Sequence, residues 1–223
     1  MPDNVKPLAL VTGASRGIGA ATAIALAGAG HHVVLTARTE GGLEATEAAI
    51  HDAGGSATIA PFDIADGDAI DRLAQAVGAR WGKLDVMVLN AAMLGELMPV
   101  PHVPPKDFDQ LFKVNVTANF RLIRAFDPLL RASTAAHVVA VTSSVARSPR
   151  AYWGGYAASK AALETLLETY GAEVAAVSRI RTHVLNPGAT ATRMRQKAFP
   201  GEDQATLKRP EAVAADIVAL VTA

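Results

Sequence analysis

The sequence predicts an α/β protein built as a single domain on a doubly wound parallel sheet, and three observations carry that prediction. Short apolar runs alternate with longer helical patterns along the chain. The runs are continuous rather than alternately apolar and polar, as strands buried on both faces require. The length of 223 residues, half of them hydrophobic and 19% charged, suits one large core and is short for two domains.

The strand candidates are Leu8–Val11, Val33–Thr36, Thr58–Pro61, Val86–Leu89, Val138–Thr142 and Thr182–Leu185. Between and after them lie helical patterns at Gly17–Ala29, Gly41–Ala53, Asp66–Trp81, Lys106–Ala132, Tyr156–Ser178 and Pro210–Thr222. In the first of these, Ile18, Ala21, Ala25 and Leu26 fall near helical spacing. Pro210 suits a first helical turn, where its missing N–H costs nothing. Strand–helix alternation of this kind closes into right-handed crossovers over a parallel sheet. The proline-rich stretch Gly95–Pro105 reads as a loop after the fourth strand.

Bulk properties exclude several classes of function. A formal net charge of zero provides no global field toward nucleic acid or an anionic membrane. With no cysteine there is no disulfide framework, thiolate metal site or cysteine nucleophile. The six histidines have no metal-ligand spacing, so no metal is expected and they read as structural or surface groups. Met1–Pro7 lacks the apolar run of a signal peptide, and the Ala-, Val- and Leu-rich stretch from Ile18 to Leu35 is broken by Gly28, Gly30, His31 and His32. A cytoplasmic protein with no membrane span is the expectation.

The first strand runs into Thr12-Gly13-Ala14-Ser15-Arg16-Gly17-Ile18-Gly19. Glycines between a strand end and a helix start permit a tight turn and a close backbone approach to a pyrophosphate. The helix N-terminus then offers free N–H groups and a partial positive charge. At the end of the second strand, a carboxylate would bind ribose hydroxyls and repel a 2′-phosphate. The chain instead carries Arg38, with Arg16 in the glycine loop as a second clamp. The guanidinium fork suits phosphate oxygens, so the expected cofactor is NADP(H) in preference to NAD(H).

Farther along, Tyr156 and Lys160 stand four residues apart in a helical pattern and so share a face. A phenol's ordinary pKa of about 10 makes it a poor base near neutrality, and a neighbouring cation pulls that value down. The pair can then exchange a proton with a carbonyl or alcohol oxygen. Ser143 lies thirteen residues upstream at a strand end, where its hydroxyl can hydrogen-bond the same oxygen; Ser144 is the adjacent alternative.

The Thr-Gly-x-x-x-Gly-Ile-Gly segment, Ser143 and Tyr156-x-x-x-Lys160 resemble the short-chain dehydrogenase/reductase family, over nearly the whole chain. The resemblance implies a Rossmann-type sheet. It also selects Ser143 over Ser144 and adds Asn115, in Lys113-Val114-Asn115-Val116, as fourth member of an Asn-Ser-Tyr-Lys tetrad. At a kinked helix Asn115 would free a backbone carbonyl for a water near Lys160.

Further cofactor contacts are implied at Gly13, Ser15, Arg16, Gly17, Ile18, Gly19 and Arg38, and at Asp63 and Ile64 beside the adenine. Asp63 reads equally as a helix cap. Asn90 would brace the sheet and Ala91 would lie against the ribose, with Ala92 or Met93 standing where the family often has glycine. Pro187, Gly188, Thr190 and Thr192 would border the nicotinamide, and Tyr156 and Lys160 would face its ribose.

The family commonly continues into a seventh strand. This chain reaches Ala223 at the end of its last helical pattern, so six strands in the order 3-2-1-4-5-6 are expected. Residues 192–209 correspond to a substrate lid, where Arg193, Arg195 and Lys197 would either meet an anionic substrate or form a solvated face. Tyr152, Trp153, Met93, Leu94, Met194 and Phe199 would either wall an apolar substrate pocket or simply pack. A homodimer is expected through the helices around 113–131 and 156–178.

These readings converge on an oxidoreductase for a small-molecule carbonyl or alcohol. The alternative is a non-catalytic NADP(H)-sensing or scaffold protein on the same fold. Such a protein could dispense with the tyrosine or lysine, which this chain keeps. A sugar-nucleotide epimerase would need roughly 100 further residues for a substrate domain.

Overall fold

The computed structural model describes residues 6–223; most of the Met1–Pro7 segment lies outside them. Among the described residues six strands form one sheet: β1 (Leu8–Thr12), β2 (His32–Ala37), β3 (Ser56–Pro61), β4 (Val86–Leu89), β5 (Ala136–Val141) and β6 (Ile180–Leu185). Their order is β3-β2-β1-β4-β5-β6, with every neighbouring pair parallel. The helices are α1 (Gly17–Gly28), α2 (Glu40–Asp52), α3 (Gly67–Trp81), α4 (Pro105–Phe112), α5 (Ala118–Arg131), α6 (Gly154–Val174), α7 (Arg193–Ala198) and α8 (Pro210–Thr222).

The strands read as continuous apolar runs because successive residues feed two different cores. Leu8, Leu10, Met87, Leu89, Val138 and Ala140 meet α3, α5 and α6 on one face through Ile70, Phe126 and Leu163. Ala9, Val11, Val33, Leu35, Val86, Val88 and Val139 meet α1, α2 and α8 on the other through Leu26, Leu43 and Ile217. Burial of each large side chain contributes about 1.5–3 kcal/mol, and both layers collect many of them.

Four strands begin one or two residues before their apolar runs. The added positions include polar ones, such as His32, Ser56, His137 and Arg181, that take part in the ladder through their backbone. His32 Nδ1 and Nε2 lie 3.1 and 2.9 Å from Ser56 Oγ and Thr58 Oγ1, so one imidazole bridges two hydroxyls of β3.

The pattern at Lys106–Ala132 reads as one helix but is three pieces. A π turn at Lys113–Thr117 separates α4 from α5. α6 starts at Gly154 and ends at Val174, four residues short of its pattern, because Val174 accepts from both the backbone and the hydroxyl of Ser178 in a closing turn. Asp66 is the N-cap of α3 rather than its first residue; its side chain accepts from Asp68 and Ala69 N–H. No helix among the described residues is long and apolar enough to cross a membrane.

Candidate active site

A cleft of about 1590 Å³ opens at the carboxyl ends of the strands, the place where open α/β sheets present ligand sites. Gly13, Ser15, Arg16, Gly17, Ile18, Arg38, Asp63, Ile64, Asn90, Ala91, Ser143, Tyr156, Lys160, Pro187, Gly188, Thr190 and Thr192 all line it. Asn115 and Gly19 do not line it; each touches residues that do, Asn115 through Met93 and Gly19 through Gly13 and Asn90.

The phosphate end is made largely of backbone. Gly13 has φ +68°, and a Cβ there would come within 2.9 Å of Asn90 Nδ2 and 3.1 Å of Ala91 Cα. Gly19 sits so close under the loop that a Cβ would overlap the Gly13 carbonyl oxygen. α1 then begins with no side-chain cap and no acid in its first turn, so its N–H groups face the cleft unneutralised. Thr36 Oγ1, buried and without a hydrogen-bond partner, belongs to the same cleft. A cradle that a Cβ would fill and an open helix N-terminus fit a dinucleotide pyrophosphate.

Arg16 and Arg38 flank that loop. The Arg38 side chain is 71% exposed, and its Nη1 lies 4.0 Å from Asp63 Oδ2. Asp63 Oδ1 accepts from Ala65 N–H at 2.9 Å. Asp63 therefore closes a turn and loosely restrains Arg38, while Asp66 is the cap of α3.

The brace under this end is Asn90 with a residue that sequence reasoning passed over. Asn90 Nδ2 donates to the Thr12 carbonyl at 2.9 Å. Thr12, fully buried, donates its hydroxyl to Val88 O at 3.1 Å and accepts from the N–H of Asn90 and Ala91, both at 3.0 Å. One threonine hydroxyl thus ties β1, β4 and the cofactor-facing loop together. A threonine directly before the first loop glycine was the available signal.

At the chemical end the expected lowering of the Tyr156 pKa is not what the protein alone produces. Tyr156 is 7% exposed and Lys160 2%. Burial pushes the phenol up to about 12 and the ammonium down to about 8. Lys160 Nζ is turned toward β5, donating to Val141 O at 2.8 Å, and stands 5.9 Å from the centre of the Tyr156 ring. The phenol hydroxyl donates to the Met194 sulfur at 3.9 Å. Shared helical spacing brings the two side chains to one face, but desolvation outweighs their mutual effect.

Ser143 and Ser144 both line the cleft at the end of β5, Ser143 half-buried and Ser144 exposed. Asn115 is fully buried at the centre of the π turn. Its Oδ1 accepts from Met93 N–H at 2.9 Å; its Nδ2 donates to Met93 O at 2.9 Å and to Ser159 Oγ at 3.0 Å. The side chain therefore fixes the strand β4 loop to α6. Its backbone carbonyl accepts from Asn119 Nδ2 at 2.8 Å, which engages one of its two lone pairs. Asn119 Oδ1 is left buried without a partner.

Gly188, at φ +70°, follows Asn186 and Pro187 after β6. Thr190 is 4% exposed and donates to Pro187 O at 3.1 Å. Thr192 is the N-cap of α7, accepting from Arg195 N–H at 3.1 Å, and its methyl group would lie 3.5 Å from a Cβ at Gly17. The residues that border the two ends of the cleft thus meet at Thr192.

The 192–209 segment covers the chemical end. Met194 and Ala198 join Met93, Leu97 and Trp153 around a small core of Leu94, Leu111, Val145, Tyr156 and Ala157. Trp153 stands edge-on to Tyr156 at 5.9 Å and tilted against Phe199 at 5.6 Å. Tyr152 is 61% exposed at φ +73° and lines no part of the cleft, so it does not wall a pocket. Arg195 forms a bidentate pair with Glu202 and lies over Phe199, and Lys197 pairs with Glu96 at 2.6 Å. Both charges are engaged within the protein. His137 Nδ1 and His183 Nε2 lie 3.0 Å apart on adjacent strands.

Comparison with known proteins follows the same outline. The family model described as short chain dehydrogenase matches residues 7–203. The uncharacterized oxidoreductase YciK of Escherichia coli is 38% identical over 214 residues, covering 95% of this chain and 82% of its own. A short chain dehydrogenase structure from Pseudomonas syringae superposes with a TM-score of 0.94 at 39% identity, covering 99% of this chain and 91% of the other. A short chain dehydrogenase from Shigella flexneri, crystallised with NADP, gives a TM-score of 0.89 at 36% identity, covering 96% and 89%.

Proposed function

We propose an NADP(H)-dependent carbonyl reductase or alcohol dehydrogenase activity, on the premise that this chain belongs to the short chain dehydrogenase family. The observation that carries it is the convergence of the glycine cradle, Ser143, Tyr156 and Lys160 on one cleft at the strand ends. When bound, NADPH supplies the hydride. The N–H groups of α1 and the Gly13–Gly19 loop would hold its pyrophosphate. Arg16 and Arg38 would hold the 2′-phosphate, which the absence of an acid at the end of β2 leaves unopposed.

The protein's own part is proton transfer and orientation. Tyr156 holds a proton at Oη for the carbonyl oxygen of the substrate. A phenol that burial keeps neutral is suited to give that proton in the reductive direction. Ser143 donates to the same oxygen and stabilises its developing charge. Lys160 would hold the ribose once Nζ leaves Val141 O, and Asn115 keeps the π turn and α6 in register beneath it. The Trp153, Met194 and Met93 walls exclude water and favour an apolar carbonyl substrate. For the Tyr156 hydroxyl to reach that substrate, Met194 must give up its contact.

We also read the protein as a cytoplasmic homodimer joined through the α5 and α6 faces, where Phe120 is 46% exposed. The test of function is direct. NADPH binding followed by nicotinamide fluorescence is expected to be tighter than NADH binding. A panel of apolar aldehydes and ketones should yield NADPH-consuming turnover. NADH bound more tightly, or no turnover across the panel, would overturn the reading. Light scattering at micromolar concentration should give twice the chain mass.

A further inference from the structure

Outside the tetrad, the buried charge nearest the chemistry is Glu164. It lies one helical turn beyond Lys160 on α6 and is 6% exposed. Its Oε1 accepts from the Thr142 hydroxyl, and its Oε2 accepts from Arg147 Nε at 2.7 Å. Arg147 lies just beyond the 3-10 turn at Ser144–Ala146, is 68% exposed, and donates its other arm to Glu168 at 2.6 Å. Thr142 stands between Val141, whose carbonyl accepts from Lys160 Nζ, and Ser143. The carboxylate is therefore joined to the backbone segment that carries Ser143 and the carbonyl that holds Lys160. A buried carboxylate is costly unless both oxygens are satisfied, and Thr142 and Arg147 satisfy them here.

We propose that Glu164 is a positioning residue for the chemical end: it is the buried carboxylate one helical turn from the buried Lys160, and through the Thr142 hydroxyl it pins the strand end that carries Ser143 beside the Val141 carbonyl holding Nζ. The surroundings of Lys160 support this. On its own helix Nζ stands 5.9 Å from the Tyr156 ring, and Glu164 follows one turn on, paired with Arg147, which also reaches Glu168. The elements packed against it bring Val141 O, Thr142 and Asn115, none of which titrates, and Arg147 through its pair with Glu164. Across the cleft stand Asp107 on α4 and Arg193, Arg195 and Lys197 on α7. Burial holds Lys160 down to about 8, and the charge that acts against that descent is Glu164's. Sequence alone gives little sign of the role, because a glutamate four residues after a lysine reads as an exposed helical pair.

The inference takes its meaning from the proposed catalytic place of Lys160, but its test does not use the reaction. Isotope-labelled lysine Cε resonances of the full chain are followed by NMR through a pH titration, with Lys160 assigned by its loss in Lys160→Arg. Glu164→Gln keeps an acceptor for Thr142 and removes the charge. It should lower the Lys160 midpoint by about one pH unit, a tenfold loss of proton affinity. Arg147→Met, an exposed change that leaves the carboxylate less neutralised, should raise the midpoint by a few tenths. A merely structural glutamate would not produce opposite shifts. An unchanged midpoint in folded Glu164→Gln, or a fall in Arg147→Met, overturns the proposal. If Glu164→Gln does not fold, the apolar Glu164→Met takes its place in the titration, with the same expected fall and the same overturning result. A wild-type protein without turnover would undo the proposed function and leave this titration intact.

Discussion

At one end of the cleft the site is made of backbone, and at the other of buried side chains. The phosphate end depends on glycines that have no Cβ, a helix start with no cap and a threonine hydroxyl beneath the loop. The chemical end depends on two ionisable groups driven away from their ordinary behaviour by burial, with a third charge behind them. The first end is shaped by absent side chains and the second by desolvation, so they should fail differently when altered.

The sharpest break is Tyr156→Phe. It should lower carbonyl reduction by about 10²–10⁴-fold, the usual range for a lost general acid, and leave NADPH affinity within a few-fold. Steady-state kinetics and a binding titration on the same preparation separate the two. A parallel loss of binding would mean that the ends are not independent. At the other end Gly19→Ala should do the reverse. The new methyl group would overlap the Gly13 carbonyl, and overpacking of this kind costs about 1–3 kcal/mol. NADPH affinity should fall about tenfold or more, with Tm falling too. Retained affinity would show that the loop relaxes freely.

Arg38→Asp sharpens the comparison within the phosphate end. Hydrogen bonds to charged groups contribute about 1.5–3 kcal/mol. The change should therefore weaken NADPH by about 10–100-fold and invert its preference over NADH. An unchanged ratio would remove Arg38 from the clamp. The smallest effect concerns pH and lies away from both ends. Burial depresses His31, His32, His137 and His183 below their ordinary value of 6.5. Their contribution to stability is then complete above 6.5 and is lost as pH falls through their lower folded values. Tm should drop on acidification below 6.5, by about 2–4 °C per kcal/mol, and His137→Asn should flatten that slope. A Tm independent of pH in that window would show that these imidazoles charge without cost.

The same contrast explains what could be read in advance. The sheet order and the glycine loop were legible because continuous apolar runs and missing side chains are local properties of the chain. Ser143, Tyr156 and Lys160 were legible as residue types at characteristic spacings, and Asn115 only through the family resemblance. Their environment was not. The spacing of Tyr156 and Lys160 says nothing about which way Nζ turns, and it turned to Val141 O. The partners of Thr12 and Glu164 are tertiary and appear only when β4 and the turn after β5 are assembled around them. The π turn likewise follows from packing of Asn115 against Met93 and Ser159, contacts distant in sequence. Polar residues that begin strands were missed because hydrophobicity does not mark a ladder made by backbone.

The central claim is that Tyr156 delivers the proton in a hydride transfer to a carbonyl carbon. It is tested most directly with NADPH deuterated at the transferring carbon and an accepted ketone, the product alcohol being analysed by mass spectrometry for wild type and Tyr156→Phe. The account predicts deuterium at the carbinol carbon with the wild type and almost no labelled product from the variant. Labelled alcohol formed equally well by Tyr156→Phe, or NADPH consumed with no label at that carbon, would contradict it.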